Sequence, residues 1–124
     1  MIHIAKGATS QIYVTFTELM LNPSTSWPLV VMTNETTLQK KAFLLPVNES
    51  PSTRYDQYSI IETSGPEDPT NGVVTLSPVG FWKYEAYEWD PSEAFDPQNY
   101  TTGVPIEIGR ASVTGEDEVE DVYK

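Results

Sequence analysis

The chain has 124 residues, with 18 acidic and seven basic side chains and a formal net charge of −11. It has one histidine and no cysteine, which excludes a disulfide framework, a thiol nucleophile, an iron–sulfur cluster, a thiolate zinc site and any multi-histidine metal centre. So acidic a surface repels phosphate backbones, and no run approaches the roughly 18 apolar residues of a membrane span, so neither nucleic acid nor membrane is an expected partner.

Ten prolines punctuate the chain, and short stretches rich in β-branched and aromatic residues lie between them. Proline lacks the donor that a sheet ladder needs and falls at strand ends and turns. The N-terminus, Met1 to Lys6, has no basic stretch followed by a long apolar one, so no signal peptide is expected. His3 falls on an expected opening strand, and no Gly-x-Ser-x-Gly elbow accompanies it, so it is read as structural or exposed rather than catalytic. From Gln11 to Glu18 the chain alternates, with Ile12, Val14 and Phe16 on one face, which predicts a half-buried strand. Leu29 to Thr33 is apolar on both faces, as in a central strand. The stretch from Gln39 to Leu45 fits two patterns. Leu38, Ala42 and Leu45 have helical spacing behind a capping box at Thr36-x-x-Gln39, but Pro46 stops the run early, which favours a strand.

Further strands are expected from Tyr55 to Thr63, at Val73 to Leu76, from Gly80 to Trp89 and from Ile106 to Val113, with turn-rich loops at 64–72 and 90–103. The expectation is one all-β domain over residues 1–114, an antiparallel β-sandwich of seven or eight strands, Ig-like or jelly-roll-like. Residues 115–124 form an acidic tail that holds five acids and one base, −4 of the total charge.

No constellation in the sequence calls for catalysis, a cofactor or a metal. Glu85 and Glu88 stand three apart in an expected strand and so point to opposite faces, where they cannot flank one substrate. The acids of the tail lack the spacing and the turn glycine of a calcium loop. No enzyme is expected. The most distinctive stretch is Phe81-Trp-Lys-Tyr-Glu-Ala-Tyr-Glu-Trp89. Alternation places Trp82, Tyr84 and Ala86 on a core face and Phe81, Lys83, Glu85, Tyr87 and Trp89 on the other. That second face, together with Tyr100 and Tyr123, is the candidate protein interface, since Trp and Tyr are enriched at such surfaces. The same rings could also stack on sugars, the reading of a carbohydrate-binding module.

Lys6-Gly-x-Thr9 followed by Ile12 to Glu18, the apolar strand ending Thr33 to Thr36, and Arg54-Tyr-x-x-Tyr58 resemble small virion proteins of tailed bacteriophages. So do Gly72-Val-Val-Thr-Leu-Ser-Pro-Val-Gly80, Trp82-Lys-Tyr84, Tyr87-Glu88 and Glu107-Ile-Gly109-Arg110 with Val113, a pattern associated with structural genes of crAss-like and marine phages. The resemblance implies a non-enzymatic β-sandwich built into the particle as a homo-oligomer, as a capsid decoration, a head fibre, or a neck or tail component. Its partners would be other virion proteins and its place the virion, assembled in the bacterial host cytoplasm.

Overall fold

The alternation of apolar side chains builds two sheets that face one another. The computed structural model describes residues 2–21, 25–46, 48, 56–77, 79–100 and 102–115, so Arg54, Tyr55, Tyr123 and nearly all of the acidic tail lie outside the described residues. Eight strands are described: β1 (Ile2–Ala5), β2 (Thr9–Val14), β3 (Trp27–Asn34), β4 (Lys40–Leu44), β5 (Asp56–Glu62), β6 (Val73–Val74), β7 (Gly80–Trp89) and β8 (Glu107–Thr114). A helical turn, α1 (Phe16–Leu19), and a 3-10 turn at Pro69–Asn71 complete the regular structure. One sheet has five strands in the order β1-β8-β7-β3-β4, and the other has three, β2-β5-β6. The protein is an all-β sandwich with mainly antiparallel sheets. Two short pairs, β1 with β8 and β5 with β6, run parallel.

The core between the sheets takes one face of each strand. Ile2 and Ile4 of β1, Ile12 and Val14 of β2, Val30 and Met32 of β3, Tyr58 and Ile60 of β5, Trp82 and Ala86 of β7, and Ala111 and Val113 of β8 are all buried there. Trp82 is fully buried, and truncating a ring of that kind typically costs about 3–5 kcal/mol. The strand expected from Gln11 to Glu18 stops earlier than its alternation suggests. The β2–β5 ladder ends at the Val14–Asp56 pair, and the chain then turns helically, which still carries Phe16 into the core with its ring stacked on Tyr58 at 6.1 Å. The stretch before Pro46 is a strand and not a helix. Asn34 Oδ1 accepts the amides of Thr36 and Thr37 at 2.8 and 2.9 Å, so the would-be capping segment is the turn of the β3–β4 hairpin.

Two glycines are required by their surroundings. Gly72 closes the 3-10 turn in the left-handed region, at φ 74°, a conformation that side chains resist. Gly109 of β8 lies opposite Tyr84 of β7, and a Cβ there would come within 2.6 Å of the tyrosine ring. The ring therefore lies over the glycine, and its hydroxyl donates to Glu107 Oε2 at 2.5 Å. Burial, together with that carboxylate, pushes the Tyr84 phenol above its ordinary range.

One buried ion pair fastens the turn between β1 and β2, where the chain passes from one sheet to the other, to the end of β5. Glu62, at the end of β5, is only 2% exposed, yet it follows Tyr58 and Ile60 on the inward face. Its Oε2 receives Lys6 Nζ at 2.9 Å and the Leu76 amide at 3.0 Å, and its Oε1 receives the Gly7 amide at 2.7 Å. Burial alone would raise this carboxyl, but two amides and the ammonium outweigh it and hold the group below the usual carboxylate range. With the native value lowered, the stabilisation is complete above the unfolded carboxyl's titration near pH 4.5 and is lost as the pH falls toward the native value. Glu62→Gln should therefore cost about 3–5 kcal/mol at neutral pH, because it leaves Lys6 buried without its counter-charge. The variant should also show a flatter fall in stability below pH 4.5 in urea titrations. Equal acid sensitivity in the two proteins would contradict this assignment.

Candidate interaction surface

The outer face of the five-stranded sheet carries the candidate residues, because alternation along β7 sends Phe81, Lys83, Glu85, Tyr87 and Trp89 to the side away from the core. Neighbouring strands extend the face in register. Trp27, Leu29, Val31 and Thr33 of β3 stand beside Trp89, Tyr87, Glu85 and Lys83. On the other side of β7, Ile108, Arg110 and Ser112 of β8 stand beside Glu85, Lys83 and Phe81.

Half of this face is covered by the protein itself. Leu29, Val31, Ala42, Leu44, Tyr87 and Trp89 form a second buried cluster, against which Trp27, Phe95 and Tyr100 pack. The covering segment is the loop after β7, shaped by two Asp-Pro turns. Asp90 Oδ1 accepts the Ser92 amide at 2.9 Å and Asp96 Oδ1 accepts the Gln98 amide at 2.9 Å, while the Glu93 and Asn99 amides bond back to the carbonyls of Asp90 and Asp96 at 3.0 Å each. Each is a turn opened by an aspartate side chain with proline at the next position, where its fixed φ is already correct. The turns set Phe95 edge-on to Trp89, with ring centroids 5.5 Å apart and planes at 79°, and place Tyr100 6.1 Å from Phe95. Tyr87 and Trp89 are left only 9% and 6% exposed.

Polar atoms under the loop are less well matched than its rings. Burial first, then the nearby Glu85 carboxylate, pushes the Tyr87 phenol up, with Thr102 acting the other way. The Tyr100 phenol is raised by burial and by the same neighbourhood. Trp89 Nε1 is the buried side-chain donor left without a hydrogen-bond partner among the described residues. An orphaned donor of this kind costs about 1–3 kcal/mol, which the aromatic packing has to exceed.

The other half of the face is open. Phe81 is 49% exposed and Ile108 56%. Arg110 lies over the Phe81 ring at 4.7 Å from its centroid, and its Nε and a terminal nitrogen hold Glu35 at 2.8 Å each. Glu35 is accordingly held below the usual carboxylate range. Lys6 pairs with Glu62 and Lys41 with Glu67, so among the described residues Lys40 and Lys83 are the cations without an ion pair. Lys83 stands on the open half, next to the half-buried Glu85.

Beside this strip, a groove of about 580 Å³ runs along Leu19, Leu21, Tyr87, Glu88, Val104 and Ile106. Leu21 and Val104 are almost fully exposed, whereas Glu88 is tied down, accepting the Leu21 amide at 3.0 Å and the Ser26 hydroxyl at 2.9 Å. The structure thus brings Phe81, Lys83 and Glu85 together on an open surface and places Tyr87, Trp89 and Tyr100 in the covered cluster. Ile108, Arg110, Leu21 and Val104 were not among the sequence candidates. Ile108 and Arg110 could have been found by running the alternation of β8 in register with β7, whereas Leu21 and Val104 carry no periodic signal. His3 is exposed on β1 at the edge of the sheet.

The fold and the surface define an all-β sandwich with one half-covered sheet. No protein-family model, curated protein or solved structure matches the chain. Phe95→Ala should uncover Trp89 and lower stability by about 2–4 kcal/mol. The expected readout is a red-shifted tryptophan emission with stronger acrylamide quenching in the folded variant, and an unchanged spectrum would contradict the covering role of the loop.

Proposed function

We propose that this protein is a non-enzymatic structural component of a tailed-phage particle, an external capsid decoration or head-fibre subunit that acts as an oligomer. The observation that carries the reading is the open half of the β7–β8 face. There an exposed phenylalanine and an exposed isoleucine flank charged side chains on a rigid sheet, the mixture found where protein surfaces meet. The stretches that resemble phage virion proteins include this surface, since Gly72 to Gly80 leads into β7 and Glu107 to Arg110 opens β8. The charge of −11 suits a subunit that must remain soluble until assembly and stay off packaged DNA. A neck or tail position is the alternative placement within the same class. Sugar stacking on Tyr87 and Trp89 is not carried forward, because both rings lie under the loop at residues 90–106.

Mass spectrometry of purified particles of the encoding phage, with heads and tails separated on a gradient, tests the reading. The chain should co-purify with the head fraction in amounts comparable to other structural proteins. Recovery with tails would move it to the neck or tail, and absence from particles despite abundance in the infected-cell lysate would contradict a virion role.

A further inference from the structure

We propose that the open β7–β8 strip pairs with the same strip of a second copy of this chain, about a two-fold axis that crosses β7 between Lys83 and Glu85. The order of side chains along the strip carries the argument. The rows, from one end, are Phe81 beside Ser112, Lys83 beside Arg110, and Glu85 beside Ile108, followed by Tyr87 at the edge of the covered cluster. Cations thus occupy one row and an anion the next, with an apolar group beyond each.

Two sheets of one sequence can pack face to face with the two-fold axis either along or across the strands. With the axis along the strands, the Lys83 of one copy meets the partner copy's Arg110 position, a like-charge contact. With the axis across the strands, Lys83 of each copy meets Glu85 of the other, giving two reciprocal ion pairs. Phe81 of each copy then lies over the Tyr87 row of the other, at the margin of the covering loop. Ile108 faces the Arg110 position, whose aliphatic stem it can cover while the guanidinium keeps Glu35. Charge therefore selects the crosswise arrangement, and Lys83, without an ion pair among the described residues, receives one. The loop over Tyr87 and Trp89 limits the contact to this half of the sheet.

The strip is small. The seven paired residues from Gly80 to Ala86 span about 23 Å, and β1, β8 and β7 together are about 14 Å wide. That is roughly 300 Å² of flat sheet, below the roughly 800 Å² per partner of a standard interface. The expected dimer is weak, concentration-dependent and weakened further by salt.

The inference deepens the assembly reading and rests on it for a biological role, but it is tested on the purified chain without particles, so absence from virions would leave its result standing. Sedimentation velocity over a concentration series should show a reversible monomer–dimer equilibrium. Lys83→Glu and Glu85→Lys should each raise the dissociation constant roughly ten-fold or more, since each reverses two contacts per dimer, and the charge-swapped double variant should recover most of the affinity. Ile108→Lys, at an exposed position, sets a cation against Arg110 of the other copy and should abolish the dimer with near-ultraviolet circular dichroism unchanged, and it carries the same decision if a charge variant fails to fold. A chain that stays monomeric throughout would overturn the proposal. So would a dimer that folded Lys83→Glu or Ile108→Lys variants leave intact, or a swap that recovers nothing.

Discussion

The structure depends on one constraint: the central strands of its larger sheet are apolar on both faces, and both faces must be kept from water. In β3, Val30 and Met32 point into the sandwich while Leu29 and Val31 point out, and all four are buried. In β7, Trp82 and Ala86 point in, and Tyr87 and Trp89 point out. The three-stranded sheet can cover only the inner side. Half of the outer side is covered by the chain's own loop, which carries no regular strand among its described residues and relies on two Asp-Pro turns to bring Phe95 and Tyr100 into place.

Coverage by a loop reaches as far as the loop can extend, and here it reaches β3, β4 and the C-terminal end of β7. The remaining rows, on β8 and the first half of β7, are a compromise between solubility and association. Phe81 is screened on one side by Arg110, which is itself neutralised by Glu35. Lys83 and Glu85 keep the surface wet. Elsewhere, the buried pair of Glu62 with Lys6 uses one carboxylate to hold an ammonium and two amides together.

Much of the sandwich was legible from alternation and turn chemistry. The span of β7 from Gly80 to Trp89 matches the expectation residue for residue, and the choice of strand over helix before Pro46 holds because a hairpin turn occupies the place of the cap. The two-faced nature of β7 was legible too. Which half of its outer face would be covered was not, because alternation defines faces and says nothing of where a later loop will fold. The early end of β2 escaped for a related reason: a strand stops where its partner's ladder stops, and the partner lies more than 40 residues away. Glu62 was findable in principle. An acid at the inward position after Tyr58 and Ile60 demands a buried cation, although naming Lys6 as that cation required the fold.

Hydroxyl-radical footprinting across a dilution series, read by mass spectrometry at single residues, addresses the central claim most directly. In dilute protein, the account predicts that Phe81 and Ile108 are modified rapidly while Tyr87, Trp89 and Leu29 are protected, despite sharing one face of one sheet. As the concentration rises, Phe81 and Ile108 alone should lose reactivity. Rapid modification of Trp89 and Tyr87 in the folded, dilute chain would contradict the account, since the loop would then not cover the sheet.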